Sequence, residues 1–166
     1  KVDFWRYLIL YKQGGIYLDI DSSINKPIKS FISENDEALI TREGGDKFYA
    51  QWGLFFSKEH PILKKTIELV VDNIKNNRHP HDIHKMTGPT VFTRAINIVA
   101  NGKDMISNCM FYGNKDGTYE VDGKSYRIFG KDFNGNLSFL HRYWKDSRGK
   151  KVHWVNQQKK RPILKL

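Results

Sequence analysis

Two adjacent glycines, Gly14 and Gly15, separate two apolar patterns of different period. Before them, Phe4, Trp5, Leu8, Ile9 and Tyr11 recur close to helical spacing and predict a helix over residues 2–11. After them, residues 16–20 read as a short buried strand ending in carboxylates, with Asp19 and Asp21 at its end. A glycine pair tolerates the left-handed conformation that closes a helix. A helix that gives way at once to a strand is a unit of an α/β layered domain.

The remaining chain alternates in the same way. Pro27 breaks the chain before a short helical turn at residues 28–32, and residues 38–41 and 48–56 fit strands, the second holding Trp52 and Gly53. Pro61 suits the first turn of a helix running to about residue 74, with Ile62, Leu63, Ile67, Val70, Val71 and Ile74 inward. A polar, histidine-rich loop over residues 76–84 leads to Thr87-Gly88-Pro89, which starts a helix with Val91, Phe92, Ala95, Ile96 and Val99 on its apolar face. Residues 105–112 fit a strand, residues 119–121 and 125–129 flank an Asp122-Gly123 hairpin turn, and residues 137–140 fit a last strand. The expected fold class is therefore α/β, with a mixed sheet flanked by helices. The expected organisation is one domain over residues 1–145 and a basic C-terminal tail over residues 146–166.

Composition narrows the function classes. With 39% hydrophobic and 13% aromatic residues in 166, the chain is globular rather than disordered. No window approaches the roughly twenty uninterrupted apolar residues of a membrane span. The lone Cys109 cannot form an internal disulfide and reads as a small buried hydrophobe. It leans towards a reducing compartment, so a cytoplasmic or membrane-peripheral location is expected. A Golgi-lumenal location would need an anchor ahead of Lys1. The chain does not begin with Met and opens inside a patterned helix, so preceding sequence is expected. Net charge is +10, which favours anionic partners, and much of it lies at Lys145, Arg148, Lys150, Lys151, Lys159, Lys160, Arg161 and Lys165. That cluster reads as a solvated tail or as a contact with a membrane surface or acidic substrate.

The chemistry concentrates at Asp19-Ile20-Asp21. If the strand continues through them, both carboxylates point the same way. Two carboxylates so close repel unless a cation sits between them. A hard divalent ion, Mg²⁺ or Mn²⁺, takes oxygen ligands and keeps positions open for phosphate oxygens. An Asp-x-Asp alone is weak evidence, since most such pairs are solvated strand ends. Here it ends an apolar strand after a double glycine, and Asp3 and Arg6 share one face of the helix before it.

The run Lys1-Val2-Asp3-Phe4-Trp5-Arg6-Tyr7, with Leu10-Tyr11-Lys12-Gln13-Gly14-Gly15-Ile16-Tyr17-Leu18-Asp19-Ile20-Asp21, resembles the DxD-containing sugar-binding region of family-32 glycosyltransferases. These include fungal initiating α-1,6-mannosyltransferases, inositol-phosphoceramide mannosyltransferases and animal α-1,4-galactosyl- and N-acetylglucosaminyltransferases. Further matches follow in order: Gln51-Trp52-Gly53-Leu54-Phe55-Phe56 with His60-Pro61, Thr87-Gly88-Pro89 with Thr93-Arg94, and His141 with Trp144. The resemblance implies a GT-A fold, a UDP- or GDP-hexose donor, a glycan or glycolipid acceptor, a divalent metal and retention of anomeric configuration. It implies that Asp21 ligates the metal directly and that Asp19 contacts the donor and the metal shell. It implies that His141 makes a late contact to metal or diphosphate, and that Asp3, Arg6 and Tyr17 lie at the donor sugar. Gln51, expected among the donor-binding residues, stands where family members usually carry Asn. The family's N-terminal strand–helix–strand has no counterpart in this sequence.

Other features carry blander readings beside these. His79-Pro80-His81-Asp82-Ile83-His84 lacks helical metal-pair spacing and reads as a surface loop. Thr87-Gly88-Pro89 is explained as a helix cap, and the family match adds Gly88 as a lining of the donor or acceptor pocket. Trp52 reads as core, whereas Trp144 lies in polar, basic surroundings that suit stacking on a sugar. Three alternatives stand beside the glycosyltransferase: a metal-dependent phosphotransferase or nucleotidyltransferase, a non-catalytic sugar-binding fragment, and a basic nucleic-acid-binding module. The paired carboxylates argue against the last, and no nucleic-acid partner is expected.

Overall fold

The computed structural model describes residues 2–43, 48–102, 115–139 and 162–164. Helix α1, Val2–Gln13, carries Asp3 in its first turn and Lys12 in its last, matching the helix dipole at both ends. It closes where the Gly14 N–H bonds the Leu10 carbonyl at 2.8 Å. Gly14 has φ +70, and a Cβ there would stand 2.8 Å from the Lys58 amide nitrogen, so conformation and space both demand glycine. Strand β1, Gly15–Leu18, follows directly, then β2, Ser22–Ile24, and a 3-10 turn, Ile28–Ser30. Next come β3, Ala38–Arg42, and β4, Gly53–Phe56. Three helices succeed them: α2, Pro61–Lys75, α3, Ile83–Met86, and α4, Pro89–Asn101. The chain resumes with β5, Gly117–Val121, and β6, Lys124–Lys131, then a tight turn, Asp132–Gly135, and β7, Leu137–Phe139.

The main sheet has the order β1-β4-β3-β6-β5. Its central pair, β3 and β6, is parallel and the other pairs are antiparallel, so it is the mixed α/β sheet expected from the sequence. Alternation sorts its side chains onto two faces. Ala38, Ile40, Leu54, Phe56, Tyr126 and Ile128 meet Tyr7, Leu10, Ile62, Leu63, Val70 and Phe92 from the helices. Leu39, Phe55 and Phe129 point the other way, onto Trp52, Phe133 and Leu137. That second core is covered by loop and turn residues, including Ile28, Phe31 and Ile32. The helices therefore crowd one face.

Four consecutive residues, Asp132 to Gly135, have φ of 49, 53, 57 and 77. Left-handed backbone costs about 1–2 kcal/mol at each non-glycine residue. The turn is held by Phe133, fully buried against Trp52, Phe55 and Phe129, and by its backbone N–H on Thr41 Oγ1 at 2.9 Å. It delivers the chain into β7, which pairs antiparallel with β2 in a separate ribbon, Ser22 facing Phe139 and Ile24 facing Leu137.

Several expectations need correction. The strand expected over residues 48–56 is confined to Gly53–Phe56, preceded by a single bridge between Tyr49 and Arg42. The histidine-rich loop runs into α3, which takes up its last two residues, because the Asp82 carboxylate caps that helix by accepting from the Lys85 N–H at 3.1 Å. Buried Asn73 of α2 then ties it down, donating to the carbonyls of Lys85 and Met86. The strand expected at residues 105–112 lies outside the described residues. Of the tail, residues 162–164 are described, and there the Ile163 N–H donates to the Pro80 carbonyl at 2.8 Å. Among the described residues no helix is long and apolar enough to cross a membrane.

His60 caps α2 from within the core. It is fully buried, its Nδ1 accepts from the Ile62 N–H at 3.3 Å, and its Nε2 bonds the Ser125 carbonyl at 3.2 Å. Burial holds the ring's pKa down at about 4. A lowered pKa means that the folded protein keeps the ring neutral while the unfolded chain takes a proton below pH 6.5. Stability from this group is therefore present above pH 6.5 and lost as pH falls towards 4, by about 3 kcal/mol over the window. Chemical denaturation of wild type and His60→Asn at pH 7, 6, 5 and 4.5 checks this. The variant, which keeps an acceptor for the Ile62 N–H, is expected to lose stability less steeply.

Candidate active site

Four separate stretches of chain converge beyond the carboxyl end of β1. Helix α1 supplies Asp3 and Arg6, three apart on one face, with Tyr7 beside them. Strand β1 supplies Tyr17 and hands the chain to Asp19. The segment before β4 supplies Gln51 and Trp52, and Thr87 lies between α3 and α4.

Arg6 is the centre. It is 5% exposed, and its guanidinium lies 3.1 Å from Asp3 Oδ1 through Nη2 and 3.2 Å from Asp19 Oδ1 through Nη1. Nη1 also donates to the Gln51 carbonyl at 2.7 Å, and the Tyr17 ring lies 4.5 Å from the guanidinium carbon. The buried Nε has no hydrogen-bond partner among the described residues. Asp3 is fixed by further donors: Gln51 Nε2 at 3.4 Å on Oδ1 and Thr87 Oγ1 at 2.9 Å on Oδ2. Both ends of the Gln51 amide are used inside the protein, because its Oε1 accepts from the Tyr7 hydroxyl.

Asp19 and Asp21 do not lie on an extended strand. Strand β1 ends at Leu18, paired with Gly53. The Asp19 N–H still reaches the Trp52 carbonyl at 2.7 Å, but its own carbonyl accepts from the Ser22 N–H at 2.9 Å and the Ser22 hydroxyl at 2.6 Å. The chain reverses there, so a turn bonded through Ser22, not strand alternation, sets where the two carboxylates stand. Ile20 at its tip is 99% exposed. Asp19 accepts from the Tyr17 hydroxyl at 2.6 Å. Burial lifts the Asp19 carboxyl above the ordinary carboxylate range; Tyr17 and Arg6 pull it back, and the charges of Asp21 and Asp3 push it up.

Two carboxylates, Asp3 and Asp19, thus pair with one guanidinium, and the charge of Asp21 acts on Asp19 as well, leaving an excess of negative charge. That excess fits a divalent cation on the turn, held by Asp21 and Asp19, since such ions need only one or two carboxylates when phosphate oxygens complete their shell. Among the described residues no group of three or more His, Cys, Asp or Glu is arranged to hold a metal. His141 and Trp144 lie outside the described residues. The β2–β7 ribbon sets Phe139 opposite Ser22, the residue after Asp21.

Gly88 caps α4 with its backbone, without a side-chain bond. A Cβ there would stand 2.9 Å from His84 Cα, so packing alone explains the glycine. Thr87, read as part of that cap, sends its hydroxyl to Asp3 instead. Tyr7 was masked in the sequence by its place in an apolar helical pattern. The sole trace of Thr87 was its place beside Gly-Pro.

Residues 1–38 match the model of the glycosyltransferase sugar-binding region containing the DXD motif. Over this stretch the chain is similar to a family-32-like glycosyltransferase. The one Asp-x-Asp in the matched span is Asp19-Ile20-Asp21. An initiation-specific α-1,6-mannosyltransferase of Candida albicans is 31% identical, the match covering 58% of this chain and 34% of that protein. The enzyme of the same description from Schizosaccharomyces pombe is 30% identical, covering 58% and 30%. The chain thus spans about a third of the length of these relatives. A solved structure described as PaToxG glycosyltransferase is 31% identical, with a TM-score of 0.48, covering 58% of this chain and 33% of that one.

Within this family-32-like region, Arg6 is the charge on which the others depend. Removing one partner of a buried ionic group strands the rest. Arg6→Met is expected to cost about 3 kcal/mol at pH 7. The deficit should shrink on acidification, as protonation neutralises the stranded carboxylates. Urea denaturation of wild type and variant at pH 7 and pH 4.5, in chelator, measures it. An equal deficit at both values would contradict the arrangement.

Proposed function

We propose that this chain carries the donor site of a metal-dependent glycosyltransferase that moves a hexose from a UDP- or GDP-sugar to a hydroxyl of a glycan or glycolipid. The observation that carries the reading is the buried Arg6 held between Asp3 and Asp19, at the foot of a turn that also bears Asp21. Arg6 and Asp3 would hold sugar hydroxyls, a planar donor fork beside a fixed acceptor. Tyr17 steers Asp19 through its hydroxyl bond. Asp21, with Asp19, would hold Mn²⁺ or Mg²⁺, and the bound ion would neutralise charge on the departing diphosphate. His141 is kept as a further contact to metal or diphosphate on the sequence resemblance. Trp144 is kept as a sugar-stacking residue on its sequence context.

For the chemical step, the carboxylates and the hydroxyl bonded around Arg6 among the described residues are all engaged within the protein. The Tyr17 hydroxyl is committed to Asp19, with its pKa raised by burial, and Asp19 Oδ1 is committed to Arg6 and Tyr17. This suits retention by front-face attack, in which the acceptor hydroxyl enters on the side from which the diphosphate leaves. A departing phosphate oxygen takes the proton. The protein contributes positioning and fixed charge. A peripheral membrane contact through the basic C-terminal residues would suit a glycolipid acceptor.

Incubation with UDP- and GDP-hexoses and Mn²⁺, read by NMR, tests the proposal. Free sugar and intact nucleoside diphosphate are expected, with the transferred anomer retained when an acceptor is present. Asp21→Ala should lower turnover at least a hundredfold, as expected when catalysis rests on electrostatic stabilisation. Nucleoside monophosphate with sugar phosphate as products would favour nucleotidyl or phosphoryl transfer, and an inverted anomer would exclude the front-face route.

A further inference from the structure

Thr87 is 84 residues from Asp3 in sequence, yet its hydroxyl donates to Asp3 Oδ2 at 2.9 Å. It is 5% exposed, so it offers little to a ligand. Its hydroxyl caps neither neighbouring helix: α4 begins at Gly88 without a side-chain bond, and Thr87 closes α3 through its backbone N–H on the Ile83 carbonyl. Its carbonyl lies 3.2 Å from the Tyr7 hydroxyl, and that hydroxyl bonds the Gln51 side-chain oxygen. Gln51 Nε2 in turn reaches Asp3 Oδ1. The four residues form an open hydrogen-bond circuit: Tyr7 to Gln51, Gln51 to Asp3, and Thr87 to Asp3.

One proton order fits these bonds: the single Tyr7 proton goes to Gln51 Oε1, and the Thr87 carbonyl at 3.2 Å is left as a contact without that proton. An ionised carboxylate only accepts, so Thr87 Oγ and Gln51 Nε2 must donate to Asp3. Gln51 Oε1 then faces Tyr7, which must donate to it. Tyr7 cannot tilt away, because its ring is fully buried and stacked on Phe92 at 5.8 Å. Both carboxylate oxygens of Asp3 are thus engaged by donors other than Arg6, and the Arg6 fork is set against a carboxylate held at each end.

We propose that Thr87 is a positioning residue of this site: through its hydroxyl on Asp3 it fixes the orientation of the Arg6 guanidinium towards the donor sugar. The proposal rests on the glycosyltransferase reading for its functional consequence and on the hydrogen-bond circuit for its physical content. Thr87→Val keeps the shape and removes the hydroxyl, whereas Thr87→Ser keeps the hydroxyl. Neither touches the carboxylate turn.

The experiment compares wild type, Thr87→Val, Thr87→Ser, Asp3→Ala and the Thr87→Val/Asp3→Ala pair. It reads thermal midpoints and the kinetics of UDP- and GDP-hexose turnover with Mn²⁺. Thr87→Val is expected to lower kcat/KM about tenfold, mainly through KM, which is the size of one hydrogen bond to a charged group. Thr87→Ser is expected to stay within about twofold of wild type, and Thr87→Val should add nothing once Asp3 is alanine. A serine variant as poor as the valine variant, or additive losses in the double variant, would overturn the proposal. Should wild type turn over no nucleotide sugar, the glycosyltransferase reading fails on its own. The circuit is then judged by the thermal midpoints: non-additive shifts for Thr87→Val and Asp3→Ala uphold it, and additive shifts overturn it.

Discussion

A guanidinium taken out of water must find its charge and its hydrogen bonds inside the protein. Arg6 is in that position, and the structure around it can be understood as the response. Asp3 and Asp19 supply the charge, the Gln51 carbonyl another acceptor, and the Tyr17 ring a polarisable face. Each of these must itself be held. Asp3 rests on Thr87 and Gln51, Gln51 on Tyr7, and Tyr7 on Phe92 in the larger of the two cores. Asp19 rests on Tyr17 and on the backbone of Trp52, whose ring belongs to the smaller core. The site is thus tied to both faces of the sheet. Its charges are set before any ligand arrives, which is what electrostatic catalysis requires.

Much of this scaffold was legible along the chain. The Gly14-Gly15 break, the helix opened by Pro61 and the Asp122-Gly123 hairpin each follow from backbone chemistry that depends on near neighbours, and each lies where the sequence puts it. What escaped was non-local. Ser22–Ile24 is three residues long, too short for a period, and its pairing with Leu137–Phe139, a strand the sequence does mark, spans more than a hundred positions. The left-handed run from Asp132 is invisible locally because its stabilisation comes from Phe133 inserting among distant aromatics.

The site divides along the same line. Asp3 and Arg6 could be paired from helical spacing, and Asp19 and Asp21 stood out as carboxylates closing an apolar strand. Their relative placement could not be read, because a bond from Ser22 back to Asp19 turns the chain where alternation would have continued. Gln51 was flagged for contact with a donor, yet its amide serves Tyr7 and Asp3. Thr87 and Tyr7 carry no chemical signature in sequence. Their meaning comes only from the partners that the fold brings to them.

The central claim is that the Asp19–Asp21 turn, backed by Arg6, binds a divalent metal together with a nucleoside diphosphate. Anomalous diffraction from crystals grown with Mn²⁺ and UDP or GDP tests it most directly. A manganese peak at coordinating distance from an Asp21 carboxylate oxygen and a diphosphate oxygen, with Arg6 still seated on Asp3, is the predicted result. Nucleoside diphosphate bound at the turn without metal, or manganese bound away from Asp21, would contradict it.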